Sequence, residues 1–214
     1  MNYTKTIRTY CLQNKGKIFD AGKMAEDYFS MVPYKTMMKV LNRLEEEEIL
    51  QKVSKGVYFI CDVNTDIDDA IIGHYVGEKD GIIVGEMMWY QEGLIDKKPD
   101  TVEIYTNKIS QLHKNVGKYK LTYANLVYGT DICNIVRFLD ALEKIDNKLN
   151  VDLEKYSLLG EKCEYSYTDF HIKKILEEID FQYATLITLS EMLRNNGYDG
   201  CNCLAIAMEV KRAE

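Results

Sequence analysis

The chain has 214 residues, 46% of them hydrophobic and 29% charged, with a net charge of −7. That is ordinary for a folded globular protein of one or two domains, and the negative total argues against a general nucleic-acid binder held by a global positive field. No apolar run approaches the ~20 residues of a membrane span. The N-terminus, MNYTKTIRTYCLQNKGK, has no apolar segment after its basic residues, so no signal peptide is read and a cytoplasmic location is expected.

In chain order, residues Thr6–Leu12 predict a short helix with Ile7, Tyr10 and Cys11 inward, and Asn14–Gly16 predict a turn. Ile18-Phe19 reads as a short apolar strand. Ala21–Tyr28 reads as a second helix with Met24, Ala25 and Tyr28 on one side. Ser30 is the expected N-cap of a third helix, with Pro33 in its first turn. There Tyr34, Met37, Leu41 and Leu44 recur at helical spacing as a buried stripe, and a 100° turn per residue puts Lys35, Thr36, Lys39, Asn42 and Arg43 on the opposite face. The period then changes. Val53, the Ser54-Lys55-Gly56 turn and Val57–Ile60 predict a hairpin, with Lys52 and Lys55 near its tip.

Helix, strand, helix, turn, helix, hairpin is the order of a winged helix-turn-helix. In that arrangement one helix enters the DNA major groove and a basic wing touches the neighbouring backbone. The plainer alternative is a small α+β domain whose exposed lysines keep it soluble. Charge partition favours a DNA reader: residues 1–60 carry ten Lys/Arg against seven Asp/Glu, or +3, which leaves −10 for the rest of the chain. Four of those seven acids are the run Glu45–Glu48, read as a solvated helix end leading to the wing.

Cys61–Asp69 (CDVNTDIDD) is the expected junction, giving domains 1–61 and 62–214. Its alternating acids suggest a calcium loop. However, the required turn glycine would be Ile67 and the bidentate glutamate Gly73, so the segment reads instead as a linker capping the next helix at Asp68 or Asp69. Beyond it the pattern predicts a helix over Asp69–Gly77, a brief strand or turn at Gly81–Val84, and a helix over Glu86–Glu92. Strands follow at Thr101–Thr106, Lys118–Tyr123 and Leu126–Tyr128, with a helix over Asp131–Leu142. The last third reads as helical, over Thr168–Ile179 and Tyr183–Asn195. The fold class is therefore α+β, an N-terminal winged helix-turn-helix followed by a mixed α/β C-terminal domain.

Six scattered cysteines imply neither a disulfide framework nor a zinc site, since the close pair Cys201/Cys203 has no second pair. No phosphate loop, dinucleotide loop, zincin or nucleophile-elbow motif occurs, so no catalytic residue, metal or cofactor is assigned. Two alternatives stay open. One is a repressor whose body binds a small molecule through some of the 16 tyrosines. The other is a metal-dependent phosphoryl-transfer enzyme using Asp66 and Asp68.

The wing strand Gly56-Val57-Tyr58, the helix end Gln91-Glu92-Gly93-Leu94, Pro99 followed by a strand to Thr106, and Ala141-Leu142 through Ile145 together resemble the AbiEi family of antitoxin-like transcriptional regulators. The resemblance covers residues 1 to about 150 and departs at Glu92, where the family often has His. It implies no reaction. It implies operator binding by the winged helix, repression of the protein's own operon, and a nucleotidyltransferase-like toxin counteracted without a stable complex. Carried over, the DNA-binding residues are Lys35, Thr36, Lys39, Asn42, Arg43, Lys52 and Lys55, with Lys39 and Arg43 reaching furthest and Asn42 suited to adenine edges.

Overall fold

The computed structural model describes residues 3–145, 151–198 and 202–213. It is a mixed α+β chain with two sheets. Its contacts divide it into two units, Met1–Gly77 with Asn115–Gly117, and Glu78–Lys114 with Lys118–Glu214.

The first unit runs α1 (Tyr3–Gln13), β1 (Ile18–Asp20), α2 (Ala21–Asp27), α3 (Tyr34–Glu46), β2 (Leu50–Ser54), β3 (Val57–Ile60) and α4 (Ile67–Val76). Its strands form an antiparallel sheet in the order β1-β3-β2, with Phe19 and Lys52 both opposite Tyr58. The β2–β3 bend closes over Lys55 and Gly56, where Ser54 pairs with Val57 and Gly56 takes φ 76°, a left-handed conformation that glycine adopts without strain. Asp20 ends β1 and caps α2, its carboxylate accepting from the Gly22 and Lys23 N–H groups at 2.8 and 3.3 Å. Met37, Val40, Leu41 and Leu44 turn the inner face of α3 onto Ile7 and Cys11 of α1, Met24 of α2 and Tyr58 of β3. Each such side chain contributes about 1.5–3 kcal/mol on burial.

Several local expectations need correction. Ser30 is not the cap: α3 begins at Tyr34, and Pro33 stands at the N-cap with no side-chain cap bond. The Pro33 carbonyl accepts from the Thr36 and Met37 N–H groups, so the backbone alone closes the first turn. Tyr34 is exposed rather than buried, because it sits at the helix start beyond the edge of the core, and Val40 completes the stripe in its place. The helix after the hairpin is capped by Asp66, which accepts from Asp68 and Asp69 N–H, not by Asp68 or Asp69. The contact units divide after Gly77, so α4 belongs to the first unit. The close approach of Thr65 to Gly16, where a Cβ would lie 2.6 Å from Thr65 Oγ1, ties that segment down.

The end of α3 explains part of the glutamate run. Glu48 adopts φ 57° at the position where helices usually place glycine. Its N–H bonds the Glu45 carbonyl, and the Ile49 N–H bonds the Leu44 carbonyl, closing a Schellman turn. Glu47 forms an ion pair with Arg8 of α1. A left-handed non-glycine residue costs about 1–2 kcal/mol, so Glu48→Gly is expected to stabilise the first unit by about 1 kcal/mol. Burial pushes the Cys11 thiol up to about 11 and leaves it with no exposed surface, so alkylation of this cysteine reports opening of the unit. The substitution should slow that alkylation about fivefold; an unchanged rate would mean that the turn is not strained.

The second unit runs β4 (Gly81–Val84), α5 (Gly85–Gln91), β5 (Val102–Thr106), β6 (His113–Val116, whose last two residues count with the first unit), β7 (Tyr119–Tyr123), α6 (Thr130–Lys144), α7 (Leu153–Ser166), α8 (Asp169–Leu176), α9 (Tyr183–Asn195) and α10 (Cys203–Ala213). The sheet order is β4-β5-β7-β6, with β4 antiparallel and β7 parallel to β5. Leu126–Tyr128, expected as a strand, is irregular, and β6, α7 and α10 had not been expected. Thr168 caps α8 as expected, accepting from the His171 N–H at 3.0 Å.

A buried carboxylate organises this unit. Asp140, 1% exposed, lies on α6 and accepts at 2.7 Å from the N–H of Gly85, the first residue of α5. Val84, the N-cap of α5, has no side-chain cap bond, so the carboxylate acts as a cap supplied from another helix. Lys144, one turn on, lies 2.6 Å from Asp140 and 2.9 Å from Glu103 of β5. Gly85 has φ 66°, and a Cβ there would come within 3.0 Å of Glu103 Oε2, so the position requires glycine. No helix among the described residues is long and apolar enough to cross a membrane.

Candidate nucleic-acid interface

The helix α3 has 13 residues, about 20 Å of length. Its inner stripe fixes its rotation, and the side chains opposite the stripe are Lys35, Lys39, Asn42 and Arg43, all exposed, with Thr36 half-buried beside them. From Lys35 to Arg43 this face extends about 12 Å along the axis, a length comparable with the width of the B-DNA major groove. Lys52 lies on β2 and Lys55 in the hairpin turn, and both are exposed. The first unit thus holds all seven expected residues on two consecutive pieces of structure, five on α3 and two on the hairpin.

Among the described residues, no hydrogen bond or ion pair engages the side chains of Lys35, Lys39, Asn42, Arg43, Lys52 or Lys55. This contrasts with Arg8, bound to Glu47, and with the cations of the second unit, where Glu92 holds both Arg137 and Lys162. Lys35 and Lys39, and Lys39 and Arg43, are spaced i,i+4, and like charges at that spacing cost an isolated helix about 0.2–0.5 kcal/mol per pair. The outer face of α3 is therefore built against its own helical stability. Such a face suits phosphate oxygens and the acceptor edge of guanine, and the Asn42 amide suits adenine N6/N7.

Three exposed side chains at or before the start of α3 are not evident from the sequence. Tyr34 is 53% exposed in the first turn of α3, and Met31 is 82% exposed in the turn before it. Tyr28, 63% exposed, packs on Tyr10 with ring centroids 5.0 Å apart. Periodicity could not reveal Tyr34, because it falls in phase with the buried stripe.

Among the described residues no group of three or more His, Cys, Asp or Glu is placed to hold a metal. Asp66 is engaged as a helix cap. Cys203 is buried with its thiol donating to the Leu186 carbonyl at 3.5 Å, and Cys201 lies outside the described residues. Comparison of the sequence with protein-family models and with curated proteins finds no match.

Proposed function

We propose that the chain is a sequence-specific DNA-binding transcriptional regulator whose first unit works as a winged helix-turn-helix. Its α3 is the recognition helix and its β2–β3 hairpin the wing. The observation that carries this reading is the unpaired cationic and amide face of α3, set against the β1-β3-β2 sheet that presents Lys52 and Lys55. Lys39 and Arg43 contact guanine or phosphate, Asn42 reads adenine, Lys35 and Thr36 hold the groove edge, and the two wing lysines hold the flanking backbone. The acidic remainder of the chain weakens non-specific binding, which depends on neutralising phosphates. The finer role, following the resemblance noted above, is an antitoxin that represses its own operon and counters a nucleotidyltransferase-like toxin. It is not an enzyme in this reading and works in the cytoplasm.

The test is fluorescence anisotropy with the DNA upstream of the chain's own gene against a scrambled duplex, across a salt series. Selective binding that is lost in the Lys39→Ala/Arg43→Ala double variant is expected. Equal, feeble binding to both duplexes would sink the repressor reading.

A further inference from the structure

The second unit contains a cleft of about 370 Å³ formed by the irregular segment after β7, the first turn of α6, and α8. That volume lies in the range of small-molecule sites. The floor is apolar, from the buried Leu126 and Ile132, and one wall is the Phe170 ring, 67% exposed. Phe170 makes few demands on its own fold at that exposure, whereas a ring laid in the cleft would cover it.

Two polar groups converge on the same space. The imidazole of His171 lines the cleft, its ring centroid 5.8 Å from that of Phe170. Its Nδ1 lies 3.0 Å from the Ser166 carbonyl oxygen, which can only accept, so Nδ1 carries the proton. Nε2 of the neutral ring is then an acceptor, and no described residue bonds it. Lys174, one turn further along α8, bonds Glu177 at 3.0 Å, and two of its three N–H donors remain for an anion. Asp131 also lines the cleft and disfavours a ligand with a second negative charge.

We infer that this cleft binds a small aromatic monoacid bearing a hydroxyl or N–H donor. The ring lies between Phe170 and the Leu126/Ile132 floor, the carboxylate pairs with Lys174, and the donor meets His171 Nε2. None of the residues lining the cleft is a tyrosine, so the site differs from the tyrosine-built pocket considered from composition. It belongs wholly to the second unit and stands independently of DNA binding.

The experiment is isothermal titration of the full chain, without DNA, using 4-hydroxybenzoate, its neutral amide 4-hydroxybenzamide, and the cation tyramine. The acid should bind at least about tenfold more tightly than the amide or the amine. Lys174→Glu should reverse the preference towards tyramine. Gly129→Leu should abolish binding, since Gly129 has φ −72°, which any residue adopts, and no heavy atom stands within 4 Å of a Cβ built there. Lys174 is exposed at the surface, so Lys174→Glu keeps the test valid should the Gly129 variant fail to fold. The inference is overturned if the acid gives no binding heat up to about 10 mM, or if it binds and Lys174→Glu leaves its affinity unchanged.

Discussion

If the first unit binds DNA as proposed, Lys39→Glu is expected to remove that binding while raising the stability of the unit. The two effects have one cause. Lys39 stands between Lys35 and Arg43 at i,i+4 spacing, with no partner among the described residues. A glutamate there turns two repulsions into two attractions, a change of about 0.8–2 kcal/mol in favour of the helix. On DNA the same change puts a carboxylate where the groove and its phosphates are negative. Loss of one base contact costs about 1–3 kcal/mol, and repulsion adds to it, so binding to the upstream duplex should fall at least about 100-fold. The neutral variant Lys39→Ala should reduce the slope of log affinity against log salt by about 1 if Lys39 meets a phosphate. Slowed Cys11 alkylation together with lost binding would separate recognition from folding. Retained binding in the glutamate variant would remove α3 from the interface.

The second large effect concerns Asp140. Truncation to alanine leaves the Gly85 N–H buried without an acceptor, opens a small cavity and strips Lys144 of one of its two carboxylates. Breaking a fully buried pair costs about 3–5 kcal/mol. Because the Lys144 side chain is 37% exposed, water screens part of that loss, and about 3 kcal/mol is the expected cost. Asp140→Asn keeps an acceptor for Gly85 and should cost about half as much. Trp89, the only tryptophan, is 3% exposed on the helix that Asp140 caps, so its fluorescence during urea unfolding reads the second unit directly. A midpoint unmoved in the alanine variant would show that the carboxylate is not a cap.

The pH dependence follows from the same cluster. Burial raises the Asp140 carboxyl, while Asp140 and Glu103 together hold the Lys144 ammonium above its ordinary value against the opposing effect of burial. A lysine raised in the fold contributes stability that is complete below its unfolded value of 10.5 and is lost as pH rises through the folded value. The buried hydroxyls of Tyr75 and Tyr128, also raised by burial, act in the same direction from their ordinary value of 10.0 upward. Stability should therefore fall steeply on the alkaline side, beginning near pH 10. Lys144→Met should flatten the part carried by the cluster.

How much of this was legible depended on whether the signal was local. The segment from Lys35 to Ile60 declared itself because its apolar period shifts from helical to strand-like within a few residues, and a bend residue separates the two strands. The outward set on α3 followed from the same phase. Phase does not locate a helix start, which is why Ser30 was expected as the cap and Tyr34 as core. β6 escaped because His113–Val116 buries only its last residue, leaving no alternation to read. α7 escaped because its inward positions include Gly160, Cys163 and Ser166, while Leu158 and Tyr165 face solvent. Asp140 looked like any charge on an amphipathic helix, and nothing near it in the chain names Gly85 as its donor. The cleft at Phe170 is assembled from two separated segments, so no single window of sequence contains it.

The cap on α5 has a consequence for synthesis. Gly85 and its acceptor are 55 residues apart. At about 5–20 residues per second, translation leaves the start of α5 without its acceptor for some 3–11 s. β4 gains its partner β5 early in that interval, but the start of α5 still lacks the carboxylate that caps it. The first unit, in contrast, needs nothing beyond its own early residues to close its three-stranded sheet. Nascent chains should therefore show an early interval in which the head is folded and the body is a target for holdase chaperones, and the release of Asp140 ends that interval.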